Sequence, residues 1–210
     1  MSYASEAGLT RGADGETTPP MNTSTTPRDR LLGLIRARSF ATGDFTLASG
    51  KKSSLYFNLK PTMMHPDGAY WLGHALLDAI DGEPAAYIGG LELGAVPLVT
   101  TMAAASAERG APLPAFFVRK KAKEYGAKQL IEGLGPGESL SGQHVIAVED
   151  TSTTGGSLLQ AIAAVREAGG VVEAAVTVID RQEGATEALA AEGVRLLRVF
   201  TAAEIAGGGA

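Results

Sequence analysis

Five short apolar runs recur along the chain: AAYIGG (85–90), PAFFVRK (114–120), HVIAVED (144–150), VVEAAVTVID (171–180) and RLLRVF (195–200). Each is bounded by polar or glycine-containing stretches, which predicts strands. Helical patterns fill 95–108, 156–168 and 184–191, and Pro66 opens another helix running to about Ile80. Apolar strands alternating with helices predict an α/β fold: a doubly wound, mostly parallel five-stranded sheet with flanking helices. Nearer the start, TPRDRLLGLIRARS carries a helix-opening pattern, with Thr26 as N-cap, Pro27 as first helical residue and Asp29 as the reciprocal capping acid. Leu31, Leu34, Ile35 and the stem of Arg38 then share one face. FTLASGKKSSLYFNLK predicts two short strands around a Ser-Gly-Lys turn.

Two segments lack such a pattern. Residues 1–25 are small, polar and patternless, which predicts a disordered extension, with Met21 an alternative starting residue. Residues 121–143 show no clear core pattern, and an unstructured loop of that length inside a compact domain is usually functional or mobile.

Composition narrows the function classes. The 210 residues suffice for one domain with a real core, and 45% of them are hydrophobic, as in globular α/β proteins. A net charge of −5 argues against a surface devoted to nucleic acid. The absence of cysteine excludes disulfides and thiolate metal sites and fits a reducing, cytoplasmic setting. No apolar run approaches the roughly 20 residues of a membrane span, and no secretory signal is visible.

The candidate chemistry centres on VIAVEDTSTTGGS (Val145–Ser157). In open α/β sheets ligands bind beyond the carboxyl ends of the strands, and Glu149–Ser157 occupies such an end. Thr151, Ser152, Thr153, Thr154, Gly155, Gly156 and Ser157 offer hydroxyls and backbone N–H groups leading into a helix N-terminus, where a phosphate fits. Glu149 and Asp150 would repel that phosphate on contact. As a pair, however, they can accept hydrogen bonds from the hydroxyls of a ribose and steady positive charge at its anomeric carbon. The stretch therefore describes a 5-phosphoribose. A strand ending in acids before a Ser/Thr cap is common by itself; the full acid-acid-x-x-Thr-Thr-Gly-Gly-Ser order is not.

This segment resembles the phosphoribosyl pyrophosphate (PRPP) signature of the type I phosphoribosyltransferases. The similarity covers about residues 28–200, through FTLASGKKSSLYFN, YIGGLELGAVPL, FFVRKKAKEYGAKQLIEG, VIAVEDTSTTGGS and VIDRQEGATE, and is greatest to the orotate phosphoribosyltransferases. It implies a small N-terminal hood built from a helix and strands within 26–65, and a core over 66–205. Arg119, Lys120, Lys123 and Tyr125 are then PRPP-binding, with Lys123, Glu149 and Asp150 catalytic. Tyr125 stands where many bacterial relatives carry histidine and takes only a binding role. Tyr56, Phe57, Thr153 and Arg181 bind orotate. The Arg181 fork suits the substrate's carboxylate; the plain alternative is a surface pairing of Asp180 with Arg181. Relatives commonly carry lysine at the positions of Ala48 and Leu93, which leaves Lys51, Lys52 and Lys60 as the nearby cations.

Four of the seven lysines fall within 120–128, after Arg119. The plain alternative is a solvated basic loop. The resemblance implies instead a loop that contacts pyrophosphate and reaches a neighbouring subunit's site, in a homodimer. Magnesium is the implied cofactor, carried by substrate oxygens and water, so no dedicated protein metal site is expected. The three histidines share no metal-ligand spacing; His74 is read as packing beside Trp71, His65 as preceding a helix and His144 as opening a strand. Two rival functions stay open from sequence. One is a purine or uracil phosphoribosyltransferase. The other is a PRPP-sensing regulator, which should add a helix-turn-helix or a broad basic face.

Overall fold

The computed structural model describes residues 26–46, 52–121 and 130–207. The expected extension over 1–25 lies outside the described residues, as do the hairpin turn and the loop positions Lys123 and Tyr125. Helix α1 (Pro27–Arg38) begins at the expected cap: Thr26 Oγ1 accepts from the Asp29 N–H at 3.2 Å, and the Asp29 carboxylate accepts from the Thr26 N–H at 3.3 Å. Its inward stripe is Leu31, Leu32 and Ile35, and the Arg28 guanidinium lies 4.5 Å from the Phe200 ring centroid. Leu34 is only half-buried and Arg38 is exposed, so the stripe lies to one side of the face read from sequence.

Strands β1 (Phe40–Thr46) and β2 (Lys52–Phe57) form an antiparallel hairpin, and its Phe40 and Phe57 rings lie 5.3 Å apart. The hairpin starts five residues earlier than the sequence pattern suggests. A one-turn helix, α2 (Lys60–Met63), replaces the end of the second expected strand, with Pro61 in its first turn. Helix α3 (Pro66–Ala79) follows.

The main sheet comprises β3 (Tyr87–Leu91), β4 (Ala115–Val118), β5 (Ile131–Glu132), β6 (His144–Ser152), β7 (Val171–Asp180) and β8 (Arg195–Thr201), in the order β5-β4-β3-β6-β7-β8. The five expected strands are all mutually parallel, and β5 adds a two-residue antiparallel edge. Helices α4 (Ala95–Glu108), α5 (Gly156–Glu167), α6 (Ala185–Ala191) and α7 (Ala202–Ala206) complete the chain. Side chains alternate across β6: Ile146 and Val148 join the core shared with α1 and α3, whereas Val145 and Ala147 join the core beneath α5. Burial on both faces is why these strands read as continuous apolar runs.

Of the segment 121–143, residues 122–129 lie outside the described residues, and 130–143 differ from their reading. Besides β5, they place Leu140 in the α5-side core, with Leu130, Ile131 and Leu134 packed alongside. These leucines and the isoleucine follow no regular period, so no pattern betrayed them.

From β3 the chain steps outward to β4 and β5, then returns to the opposite side of β3 for β6. The β3–β6 boundary is therefore the sheet's switch point, the place where open α/β sheets bind ligands. The two strands approach closely there: a Cβ on Gly90 would lie 2.0 Å from the Val148 carbonyl oxygen and 2.5 Å from Ala95 Cβ. Gly90→Ala should accordingly destabilise the fold by roughly 1–3 kcal/mol, since backbone must move to admit the methyl group. Urea unfolding checks this, and an unchanged midpoint would contradict it.

Candidate active site

Two hollows flank the switch point. The first, about 210 Å³, is walled by Glu149 and residues 151–158. It sits at the mouth of α5, whose first turn has no side-chain cap, leaving its N–H groups available to an anion. Gly155 is required there. Its φ of +84° is left-handed, and a Cβ would fall 2.8 Å from Leu189 Cδ1. Thr151, Ser152, Thr153, Thr154, Gly155, Gly156 and Ser157 are all brought together as the sequence suggested.

The second hollow, about 580 Å³, is walled by Lys60, Leu91–Gly94, Lys120, Glu149, Asp150 and Ser157. Glu149 and Ser157 thus belong to both. The loop after β3 touches the acids, since a Cβ on Gly94 would lie 3.0 Å from Asp150 Oδ1 and 3.1 Å from Glu149 Oε1. Asp150 Oδ1 also accepts the Thr151 N–H at 2.7 Å, which fixes its rotamer. Glu149 is 7% exposed, and its buried Oε2 has no hydrogen-bond partner among the described residues. Burial, reinforced by the Asp150 charge beside it and opposed weakly by Lys120, raises its pKa from the ordinary 4.5 to about 8.

The basic residues separate. Lys120 lines the second hollow, and its backbone N–H donates to Glu92 Oε1 at 2.9 Å. Arg119 does not line it; its guanidinium pairs with Glu132 at 3.0 Å across the β4–β5 contact.

Arg181 continues from β7 at the same sheet edge, 11% exposed. Its Nη2 donates to Glu183 Oε1 at 2.9 Å and to Ser53 Oγ at 3.2 Å, and its guanidinium lies 5.8 Å from the Phe57 ring centroid. Asp180 is not its partner. That carboxylate is 1% exposed, accepts from Arg198 Nη1 at 2.6 Å and from the Gln182 N–H at 2.8 Å, and so builds the tight turn in which Gln182 takes φ +57°. Phe57 and Tyr56 point to opposite faces of β2. Phe57 faces Arg181, while Tyr56 is 43% exposed and stacks on Phe45 at 5.2 Å. Ser53 and Glu183 join the site without having been singled out as site residues, and of the three nearby lysines Lys60 lines the second hollow. The alternation of β2 would have exposed Ser53, which shares the inward face with Phe57.

A larger hollow, about 690 Å³, lies at the β5 edge beside the end of α5, with Glu132, Glu138 and Glu167 but, among the described residues, no basic residue in its wall. That sign of charge disfavours an anionic substrate. His74 packs as expected: it is 9% exposed, 4.5 Å from the Tyr70 ring, and accepts from Arg109 Nε at 3.2 Å, whereas His144 opens β6 on the surface, 3.4 Å from Glu173. Among the described residues, no cluster of three or more histidines and carboxylates suits a metal ion, and no helix is long and apolar enough to cross a membrane.

Comparison with known proteins agrees with this geometry. The family model for the phosphoribosyl transferase domain matches residues 76–196. The orotate phosphoribosyltransferase of Rhodopseudomonas palustris (strain BisB18) is 52% identical over 177 residues, covering 84% of this chain and 95% of that protein. The Mycobacterium tuberculosis orotate phosphoribosyltransferase in complex with Fe(III) dicitrate superposes with a TM-score of 0.74 at 39% identity, covering 85% of this chain and 98% of that one. The same enzyme in complex with PRPP gives 0.71 at 36%, covering 86% and 99%. An α5 mouth open to an anion, paired acids at the switch point and this degree of identity lead to one assignment: the chain belongs to the orotate phosphoribosyltransferase family.

Proposed function

We propose that the protein transfers the 5-phosphoribosyl group of PRPP to orotate, giving orotidine 5′-monophosphate and pyrophosphate. The observation that carries this is the placement of Glu149 and Asp150 between an anion-ready helix mouth and a second hollow with lysines in its wall. The 5-phosphate occupies the first hollow, the ribose hydroxyls meet the acids, and the pyrophosphate extends into the second.

Orotate's negative charge lies on its carboxylate, and its ring nitrogen attacks the anomeric carbon as the C–O bond breaks; the proton on that nitrogen passes to the departing pyrophosphate or to water, so the site needs no strong base. Its carboxylate goes to Arg181, held ready by Ser53 and Glu183, and its ring lies against Phe57; Thr153 and the backbone of Tyr56, whose side chain faces away, complete our orotate assignment. The chain's task is to hold both partners in line and stabilise separating charge. As the anomeric C–O bond breaks, the sugar becomes cationic, and Glu149 and Asp150 steady it. Lys120, with Arg119, Lys123 and Tyr125, receives the departing pyrophosphate. Magnesium, carried by the substrate's own oxygens and by water, would supply positive charge to the departing group, with Asp150 the hard oxygen donor in the wall of that hollow. The family assignment also supports a homodimer with shared sites, and the cysteine-free composition supports the cytoplasm.

The test follows absorbance as orotate is consumed with PRPP and magnesium, with uracil and purine bases in parallel. Orotate should be preferred, and Arg181→Ala should collapse the preference for orotate over uracil, which lacks only the carboxylate. Retained discrimination would remove Arg181 from the role, and turnover of a purine instead would overturn the assignment.

A further inference from the structure

We infer that Lys60 binds the pyrophosphate end of PRPP, supplying from the hood side a cation that the loop after β3 lacks; this rests on the functional reading above. The second hollow has three carboxylates in its wall, Glu92, Glu149 and Asp150, and its only cations among the described residues are Lys60 and Lys120. The loop after β3 presents Glu92 and Leu93, and Leu93 is 71% exposed, so neither side chain can hold an anion. Arg119 is held by Glu132 at 3.0 Å and must leave it to reach the pyrophosphate. A pyrophosphoryl group facing three carboxylates therefore draws on a cation beyond those of the 119–125 segment.

Lys60 is built to provide it. Its neighbours Leu59 and Thr62 are 1% and 0% exposed, and Thr62 Oγ1 lies 2.6 Å from Ser39 Oγ. The Lys60 N–H donates to Asn58 Oδ1 at 3.3 Å. The backbone is thus anchored, while the ammonium has no partner among the described residues. Lys60 borders neither the phosphate hollow nor the Arg181 cluster, so its contact is with the leaving group and not with the 5-phosphate or the orotate carboxylate.

Calorimetry with the full chain, titrating magnesium pyrophosphate and ribose 5-phosphate separately, decides the matter. Lys60→Ala should weaken pyrophosphate binding about 10- to 100-fold, the range for loss of a charged hydrogen bond. Ribose 5-phosphate affinity and the KM for orotate should stay unchanged, which also shows that the variant is folded. Lys60→Arg should recover part of the loss. Undiminished pyrophosphate binding in Lys60→Ala, or an equal loss for all three ligands, overturns the inference alone. Failure of the unmodified chain to bind ribose 5-phosphate would overturn the functional reading, and the inference with it.

Discussion

Asp150→Asn should lower kcat by about 10²- to 10³-fold while weakening PRPP binding tenfold or less. Asparagine keeps the size of the side chain and its capacity to accept the Thr151 N–H, which Asp150 Oδ1 takes at 2.7 Å. The ribose hydroxyls therefore still find an acceptor in the ground state. What disappears is a full negative charge beside a carbon that becomes cationic only as the pyrophosphate leaves. An interaction stronger in the transition state than in the bound substrate shows in kcat more than in affinity. Steady-state rates set against calorimetric PRPP affinity separate the two. Equal losses in both would make Asp150 a ground-state ligand of the sugar and nothing more.

The parts of this site that sequence made legible are those whose signals are local. The α1 cap lies within four residues, and Thr26 and Asp29 bond as their spacing dictates. The phosphate loop is likewise contiguous: its acids, hydroxyls and glycines follow one strand and open one helix, so strand-to-helix geometry alone brings them together. Helix α7 carries the same kind of local signal, a capping box from Thr201 to Glu204. Most of the remaining features depend on contacts between distant parts of the chain. Arg181 meets Ser53 across 128 positions, and Asp180 meets Arg198 on the neighbouring strand rather than the adjacent arginine. Leu140 is buried only because the chain folds back over α5. For the lysines the sequence could name only three candidates, Lys51, Lys52 and Lys60; it is the return of α2 toward the switch point that puts Lys60 in the wall of a hollow.

Glu149→Gln should make the protein more stable at pH 9 than its parent, by an amount on the order of a few kcal/mol, while impairing catalysis. The parent carboxyl is 7% exposed, with Oε2 unpartnered, and its pKa is about 8 in the fold against an ordinary 4.5. Between those values the folded protein retains a proton that the unfolded chain has released. Stability therefore falls as pH rises from about 4.5 to about 8 and levels off above, because ionising Glu149 places an uncompensated charge in a buried site beside Asp150. Glutamine carries no charge to desolvate, so its stability lacks that slope. The two proteins should converge near pH 5 and diverge by pH 9, with about 2–4 °C in Tm for each kcal/mol in a domain of this size. Urea unfolding at several pH values measures the divergence, and parallel profiles would show that Glu149 ionises freely. The destabilising charge is intelligible if the group serves a ligand: a ribose hydroxyl donating to Oε2 satisfies the orphaned oxygen, and the same charge that weakens the empty fold steadies the cationic sugar. Glutamine would then be a stabilising substitution that the reaction cannot tolerate.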